Sequence, residues 1–171
     1  MAYNTIKIKK YLDIVDEGYA STTITPGMLI EPTGTVSGGQ QQVRPHNSAE
    51  GNALPMFVLE DELQGNDIDD NYSAADKVQC WIPQRGEEVY AIVADGYDID
   101  AGGWLASNGD GYLREHSAET ESWGVSEAGS VTVNPLQIVA QALEAVDTSG
   151  SSGEESSGTL GYAKRIRVRI V

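Results

Sequence analysis

The stretch from Gly86 to Leu113, GEEVYAIVADGYDIDAGGWLASNGDGYL, constrains the fold most, because short apolar runs alternate along it with signals for tight turns. Residues 89–94 alternate with a period of two and are rich in β-branched side chains, which predicts a strand. DG at 95–96, GG at 102–103 and NGDG at 108–111 supply the glycines that chain reversals favour. The stretch predicts short strands joined by tight turns, as in a small barrel or sandwich, and carries no catalytic group.

Similar signals recur along the chain and predict an all-β fold. A hairpin is predicted over 22–31 with its turn at Pro26-Gly27, and strands at 56–59, 74–83, 131–133 and 163–171. Polar loops are predicted between them, at 34–42, 64–72, 114–127 and 148–158.

The segment from Pro135 to Asp147, PLQIVAQALEAVD, fits two interpretations. Its Ala, Leu, Gln and Glu residues favour a helix. However, Ile138 and Val139 open the segment, no clear cap precedes it, and the surrounding chain is predicted as strands. We predict a strand here, with a short helix as the alternative.

Alternation assigns most of the core to one face of each strand. In the final strand the apolar residues face one way and the arginines the other, so that Ile166, Val168 and Ile170 oppose Arg165, Arg167 and Arg169. The predicted core consists of Ile24, Met28, Ile30, Phe57, Val58, Val78, Ile82, Val89, Ala91, Val93, Leu105, Ile138, Ile166, Val168 and Ile170.

Residues 1–20 are predicted to lie outside this core as an extended N-terminal arm, and residues 21–171 to form the β domain. Ile6 and Ile8 alternate with lysines, and DEG at 16–18 closes the segment. Such an arm is suited to adding a strand to a neighbouring sheet. The alternative interpretation is simple terminal disorder.

The charge is strongly negative and unevenly placed. Twenty-six acidic residues face eleven basic ones, and all the acids lie within residues 11–163. Seven of the bases lie at the two ends of the chain, in residues 7–10 and 164–169. An acidic body disfavours nucleic acid, whose binding depends on neutralised phosphates. No apolar run approaches the roughly 20 residues that span a bilayer, and no secretory signal is evident.

No group of residues has the spacing of a catalytic, cofactor or metal site. Cys80 is the single cysteine and is interpreted as a small buried hydrophobe. His46 and His116 have no ligand-spaced partner, and the acids at 67–70 lack the EF-hand spacing. Ser117 follows His116 without a nucleophile elbow. We therefore expect no catalytic residues, no metal and no cofactor.

The order of these signals is itself informative. It runs through TITPGMLI at 23–30, MFVLEDEL at 56–63, GEEVYAIVADG at 86–96, IDAGGWLASNGDGYL at 99–113 and RIRVRIV at 165–171. This order resembles the capsid decoration, or cement, proteins of tailed bacteriophages. The likeness is one of strand-and-turn pattern and covers about 22–171.

The resemblance implies a small β-barrel or β-tulip-like domain on the outer capsid surface of the virion. It implies the major capsid protein as partner, a homotrimer that clamps neighbouring capsid subunits, and no role for nucleic acid or membrane. It carries over no catalytic residues. The candidate capsid contacts lie in the predicted arm and are Ile6, Lys7, Ile8, Lys9, Lys10 and Tyr11.

Two other classes of function remain open. A glycoside-cleaving enzyme would use acids beside an aromatic side chain, such as Asp110 or Glu115 near Trp104. A carbohydrate- or receptor-binding β module on the virion surface would use exposed aromatics. The tryptophans available for it are Trp81, Trp104 and Trp123.

Overall fold

The computed structural model describes residues 6–9, 15–116, 137–150 and 165–171. Thirteen strands and one three-residue 3₁₀ helix, Glu62–Gln64, make up the regular structure of these residues. Within them no helix is long and apolar enough to cross a membrane. The prediction of an all-β fold is confirmed for the described part of the chain.

The strands are numbered in chain order. They are β1 (Lys7–Lys9), β2 (Val15–Ala20), β3 (Ile30–Ser37), β4 (Gln40–Pro45), β5 (Phe57–Val58), β6 (Lys77–Trp81), β7 (Glu88–Ile92), β8 (Asp98–Ile99), β9 (Trp104–Ser107), β10 (Leu113–Glu115), β11 (Ala140–Ala142), β12 (Val146–Asp147) and β13 (Arg165–Ile170).

The strands form three sheets. A six-stranded sheet has the order β1-β7-β13-β11-β9-β10, and all its pairs are antiparallel. A five-stranded sheet has the order β3-β4-β2-β6-β5, with β2 parallel to β4 and antiparallel to β6. Strands β8 and β12 form a separate pair.

The expected barrel or β-tulip is not confirmed. The chain just before β3 reaches β5 through an isolated bridge between Leu29 and Phe57. A second isolated bridge joins Val93 to Leu113. These bridges do not extend into ladders, so none of the described sheets closes on itself.

Two apolar clusters fill the interior, and strands β6 and β7 contribute to both. In β6, Cys80 packs in one cluster and its neighbour Trp81 in the other. In β7, Ala91 and Ile92 divide in the same way. Because successive side chains of a strand point to opposite faces, β6 and β7 act as walls shared by the two clusters.

Of the fifteen predicted core residues, thirteen are buried, and Ile82 and Ile138 are half-buried. The alternation correctly set Trp81 on the opposite face from Cys80. That face is also covered, so Trp81 is fully buried as well. An alternating sequence pattern identifies one apolar face of a strand such as β6, but it does not show that the second face is buried too.

Two local predictions near the start of the domain are wrong. Residues 22–31 turn at Pro26-Gly27 but do not pair as a hairpin, because Ile24 bridges to Tyr72. Residues 34–42 are not a loop, since they belong to the β3–β4 hairpin. Its turn lies at Gly38-Gly39, where both glycines have positive φ.

The extended arm is not confirmed for the described residues of segment 1–20. Ile6 is fully buried in the larger cluster, β1 pairs with β7, and β2 lies between β4 and β6. The Ile6/Ile8 alternation was the same core-strand signal that appears elsewhere, and burial of Ile6 removes apolar surface from water. The division of the chain into 1–20 and 21–171 stays a prediction.

The ambiguous segment forms strands where it is described. Residues 140–142 are β11 and residues 146–147 are β12, so the helix alternative is wrong over 137–147. Ala140 and Ala142 face the core, and their small side chains fit between β13 and β9. The predicted strand at 131–133 and most of the loops at 114–127 and 148–158 lie outside the described residues.

Candidate functional site

The described part of the predicted contact segment, residues 6–9, lies at one edge of the six-stranded sheet. Ile6 belongs to the core, and its amide N–H donates to Glu60 Oε2 at 3.2 Å. Lys7–Lys9 form β1, which has no further strand partner among the described residues. Lys10 and Tyr11 lie outside the described residues. Contact of these residues with a partner protein stays a prediction.

The outward face of the same sheet carries a row of large side chains across four neighbouring strands. Glu88 on β7 opposes Arg169 on β13, Arg169 opposes Gln141 on β11, and Gln141 opposes Trp104 on β9. Arg169 Nη2 donates to Glu88 Oε1 at 3.0 Å. Trp104 is 46% exposed, so a large aromatic surface faces solvent at the end of the row.

Beside this row, Arg167 Nε donates to Glu144 Oε1 at 3.1 Å, and the Arg167 amide N–H donates to the same oxygen at 2.7 Å. We call the residues Glu88, Trp104, Gln141, Glu144, Arg167 and Arg169 the arginine–tryptophan face. Trp and Arg are the residue types that contribute most often to binding hot spots. The face therefore has the composition of a protein contact surface.

At the other end of β13, Arg165 turns inward. Its side chain is fully buried, and it donates to Pro26 O at 3.0 Å, to Ile68 O and to Asp69 Oδ1 at 2.9 Å. Gly27 permits this approach, because a Cβ there would lie 3.3 Å from Arg165 Nε and 3.0 Å from Tyr90 O. Arg165 thus fixes two turns onto the sheet and is not available to a partner.

His46 is also buried, and its contacts are internal. Nδ1 lies 2.7 Å from Ser107 Oγ and Nε2 lies 3.2 Å from Asn52 O. Glu31 Oε2 is 3.8 Å from Nε2. Ser107 is fully buried and its Oγ also accepts from the Gly109 amide N–H. Ser107, His46 and Glu31 thus form a series in which Ser107 and His46 are buried, and the contact between these two joins the end of β4 to β9.

Cys80 and the acidic turn at 67–70 are the next candidates. Burial raises the pKa of the Cys80 thiol to about 12, so the thiol stays protonated at neutral pH. The Asp67 and Asp70 carboxylates accept amide N–H groups of their own turn at 2.8 and 2.9 Å. In the described part of the chain, no three His, Cys, Asp or Glu residues are grouped to hold a metal ion.

Arg114 joins β10 to the turn after β7. Its Nη1 donates to the Tyr97 hydroxyl at 3.0 Å, and its Nη2 contacts Glu50. The hydrogen bond that Arg114 donates to Tyr97 is the largest cause that raises the pKa of Arg114, and the charge of Glu50 also raises it, against the opposing effect of burial. Of the three tryptophans considered for carbohydrate binding, Trp81 is buried, Trp104 is half exposed and Trp123 lies outside the described residues.

No protein-family model matches the chain, and no curated protein matches it. Among solved structures, the chain is similar to the N base of head fiber gp8.5 of bacteriophage phi29. The two share 11% identity at a TM-score of 0.51, over 94% of this chain and 95% of that one. At this identity the likeness concerns the fold, and it extends over nearly the whole of both chains.

The arginine–tryptophan face was missed by reasoning from the sequence. The alternation in 165–171 identified Arg167 and Arg169 as outward-facing, but the pairing of β13 with β7 and β11 could not be read from it. Trp104 was considered only as part of a glycoside-cleaving site or as a carbohydrate platform. The residues that meet on this face are 81 positions apart, from Glu88 to Arg169, so only the sheet order brings them together.

Proposed function

We propose that the protein is a structural component of a bacteriophage virion that binds the outside of the head. One observation carries the proposal, namely the fold likeness to a phage head fiber base over 94% of the chain. The strand-and-turn resemblance to capsid decoration proteins supports the same class from an independent direction. In this role the protein acts by contact and carries out no reaction.

The proposed partner is the major capsid protein, and the proposed contact is the arginine–tryptophan face with the β1 edge beside it. Trp104 offers apolar area, and the half-exposed Arg169, which Glu88 orients, presents its guanidinium group toward a carboxylate on a partner. Strand β1 is an edge strand of the same sheet among the described residues, which suits the addition of a partner strand.

We further propose that three copies bind together as a homotrimer. A bound trimer presents several contacts at once, so individually weak contacts add up to stable attachment. A subunit that binds only the assembled shell stabilises that shell by mass action. Capsids carrying the protein would therefore lose their DNA at a higher temperature than bare capsids.

The test is co-sedimentation of the purified protein with capsids that lack it. The intact protein is expected to pellet with capsids, and Trp104→Ala and Arg169→Ala are expected to pellet less. Lys77→Ala is the matched control, because Lys77 is an exposed base on the five-stranded sheet. If the intact protein remains in the supernatant, the capsid role is wrong.

A second candidate function rests on Trp104 itself. An exposed indole with Gln141 on the neighbouring strand and Arg169 on the strand beyond is also a suitable platform for a sugar ring. A carbohydrate-binding module on the virion surface would be retained on immobilised glycans and would lose retention in Trp104→Ala. Retention on glycans without binding to capsids would favour this alternative.

A further inference from the structure

A shallow cleft of about 450 Å³ lies at the end of β2, on the outward side of the five-stranded sheet. Its floor is formed by residues 19–21. Because β2 lies between β4 and β6, one wall comes from Thr35 and Gln42 of the β3–β4 hairpin and the other from residues 74–75, which lead into β6. The volume falls in the range of small-ligand sites. We call this site the β2 cleft.

The strand register places the aromatic ring and the amide of the β2 cleft side by side. Ala20 pairs with Val43, and both are buried in the smaller cluster. The preceding pair in the same register is Tyr19 and Gln42, which therefore faces outward. Both side chains are half-buried, and Thr35 beside them is exposed. Each of the three thus presents part of its surface to a ligand.

Hydrogen bonds within the β3–β4 hairpin orient the Gln42 amide. Thr33 Oγ1 donates to Gln42 Oε1 at 3.1 Å, and the Thr35 amide N–H donates to Thr33 Oγ1 at 3.2 Å. The side-chain carbonyl of Gln42 is thus engaged. Its Nε2 and the Tyr19 hydroxyl have no hydrogen-bond partner among the described residues. The cleft therefore offers oriented N–H donors next to an aromatic ring.

The opposite wall has a backbone conformation that alanine rarely adopts. Ala75 has a φ of 73° and is one of two non-glycine residues with positive φ among the described residues. Its amide N–H donates to Ala20 O at 2.9 Å, which holds the turn at 73–76 against the end of β2. Asp76 Oδ2 accepts the Ser73 amide N–H at 2.7 Å, so the acidic group of this turn is engaged within it. Strained backbone of this kind is concentrated at binding sites.

The lining of the β2 cleft selects an uncharged ligand. None of its lining residues carries a charge at neutral pH, although the chain has a net charge of −15. Tyr19 supplies a flat apolar surface. Gln42 supplies donors, and the hydroxyls of Ser21 and Thr35 both donate and accept. A sugar ring has the matching combination of an apolar C–H face and a rim of hydroxyl groups.

We propose that the β2 cleft binds one ring of a neutral carbohydrate. The Tyr19 ring packs against the apolar face of the sugar, and Gln42 Nε2 donates to one of its hydroxyl groups. The methyl groups of Ala74 and Ala75 leave room for the ring on the other side. The cleft lies on a different sheet from the arginine–tryptophan face, so this proposal depends neither on capsid attachment nor on the Trp104 platform.

The probes are the methyl glycosides of glucose, galactose, mannose and N-acetylglucosamine, titrated into the isotope-labelled full-length protein and followed by NMR. At least one is expected to shift the backbone amide signals of Tyr19 and Ala75 and the side-chain NH₂ signals of Gln42. The expected Kd is on the order of 1 mM, as for a ligand of this size. The indole signal of Trp104 should stay unchanged at this site's saturation.

Variants of the lining residues identify the contacts. Tyr19→Ala should weaken binding about tenfold or more, because the apolar platform is lost. Tyr19→Phe keeps the ring and should stay within about threefold of the intact protein. Gln42→Leu should weaken binding about tenfold through loss of the donor. All three changes lie on the outward face, so circular dichroism should show unchanged folding.

Matched controls separate the β2 cleft from its surroundings. Lys77 pairs with Tyr19 across β6 but does not line the cleft, so Lys77→Ala should leave the affinity unchanged, as should Trp104→Ala. Methyl glucuronide, which adds a carboxylate to the sugar, should bind more weakly than methyl glucoside because the protein is strongly acidic. Tyr19→Ala should still pellet with capsids, which separates this proposal from capsid attachment.

Four outcomes would overturn the proposal. They are no shift at Tyr19, Gln42 and Ala75 with any of the sugars, shifts confined to Trp104, equal binding of the glucuronide, and binding of an uncharged Ser-Gly peptide in place of the sugars.

Discussion

Arg165 Nη1 donates to Asp69 Oδ1 at 2.9 Å and so joins the centre of the six-stranded sheet to an acidic turn 96 residues earlier in the chain. The Arg165 side chain is fully buried, whereas Asp69 is half exposed. The guanidinium also serves the carbonyl oxygens of Pro26 and Ile68. Two separate turns therefore depend on one cation.

Replacement of this cation should destabilise the fold. Arg165→Met keeps most of the apolar stem but leaves the two carbonyl groups without this donor, and we expect a loss of about 3 kcal/mol in the free energy of unfolding. Asp69→Asn should cost less than about 1 kcal/mol, because the half-exposed carboxylate is screened by water. Urea titration measures both, and equal costs would contradict the buried arrangement.

Gly27 should tolerate a side chain less well than a glycine of the same backbone conformation. Gly27 and Gly102 both have a φ of 92°, but only Gly27 has neighbours within 4 Å of a Cβ. Gly102→Ala should therefore cost about 1–2 kcal/mol from the left-handed backbone alone. Gly27→Ala should cost clearly more in the same thermal or urea measurement, because the added methyl group also meets Tyr90 O.

Ile6 provides a test of the N-terminal segment. Since Ile6 is fully buried, Ile6→Ala should lower the free energy of unfolding by about 2–5 kcal/mol. Val36→Ala, at an exposed position, should change it by less than about 0.5 kcal/mol. For the same reason, deletion of residues 2–17 is expected to impair folding as well as capsid binding. A deletion variant as stable as the intact chain would show that this segment is a dispensable arm.

Stability should fall in alkaline solution. Burial raises the pKa of Cys80 to about 12 from an ordinary value of 9.0, and burial also raises the pKa of Tyr72, whose hydroxyl donates to Leu59 O. Both groups keep their protons in the folded protein at a pH where the unfolded chain loses them. Their contribution is therefore complete below about pH 9 and is lost as the pH rises further.

Guanidinium titrations at about pH 8 and about pH 10.5 measure this loss. Cys80→Ala and Tyr72→Phe should each reduce the dependence on pH, whatever their effect on absolute stability. As a second measurement, the Cys80 thiol should resist alkylation at about pH 8 until the protein is unfolded. Rapid alkylation of the folded protein would contradict the buried thiol.

Strands with one clear apolar face could be predicted from the sequence, and partners distant in the chain could not. Alternation located β7 and β13, including the outward direction of Arg167 and Arg169. Alternation did not identify β2 and β3, because their exposed polar residues and glycines have a composition typical of loops. It also placed Arg165 on the outward face without indicating that two turns cover that end of the sheet.

The same limit applies to the candidate site. The lysines of β1 could be recognised from the sequence as part of a candidate contact segment. The pairing of β1 with β7 could not, because it depends on the tertiary fold. The parallel pairing of β2 with β4 also has no local signal, because no local pattern specifies which strand lies beside another. Charge could be counted from the sequence, whereas the pairing of Arg169 with Glu88 required the sheet order.

The shared walls β6 and β7 bear on how the molecule opens. Adjacent side chains of each strand belong to different clusters. Neither cluster can therefore unfold without displacing a strand that also packs in the other. The amides of both large sheets should therefore exchange hydrogen through the same global event, while β1 and the β8–β12 pair exchange through smaller local openings. The molecule would then respond to heat or pulling as one cooperative unit, as a part held on a shell under internal pressure would need to do.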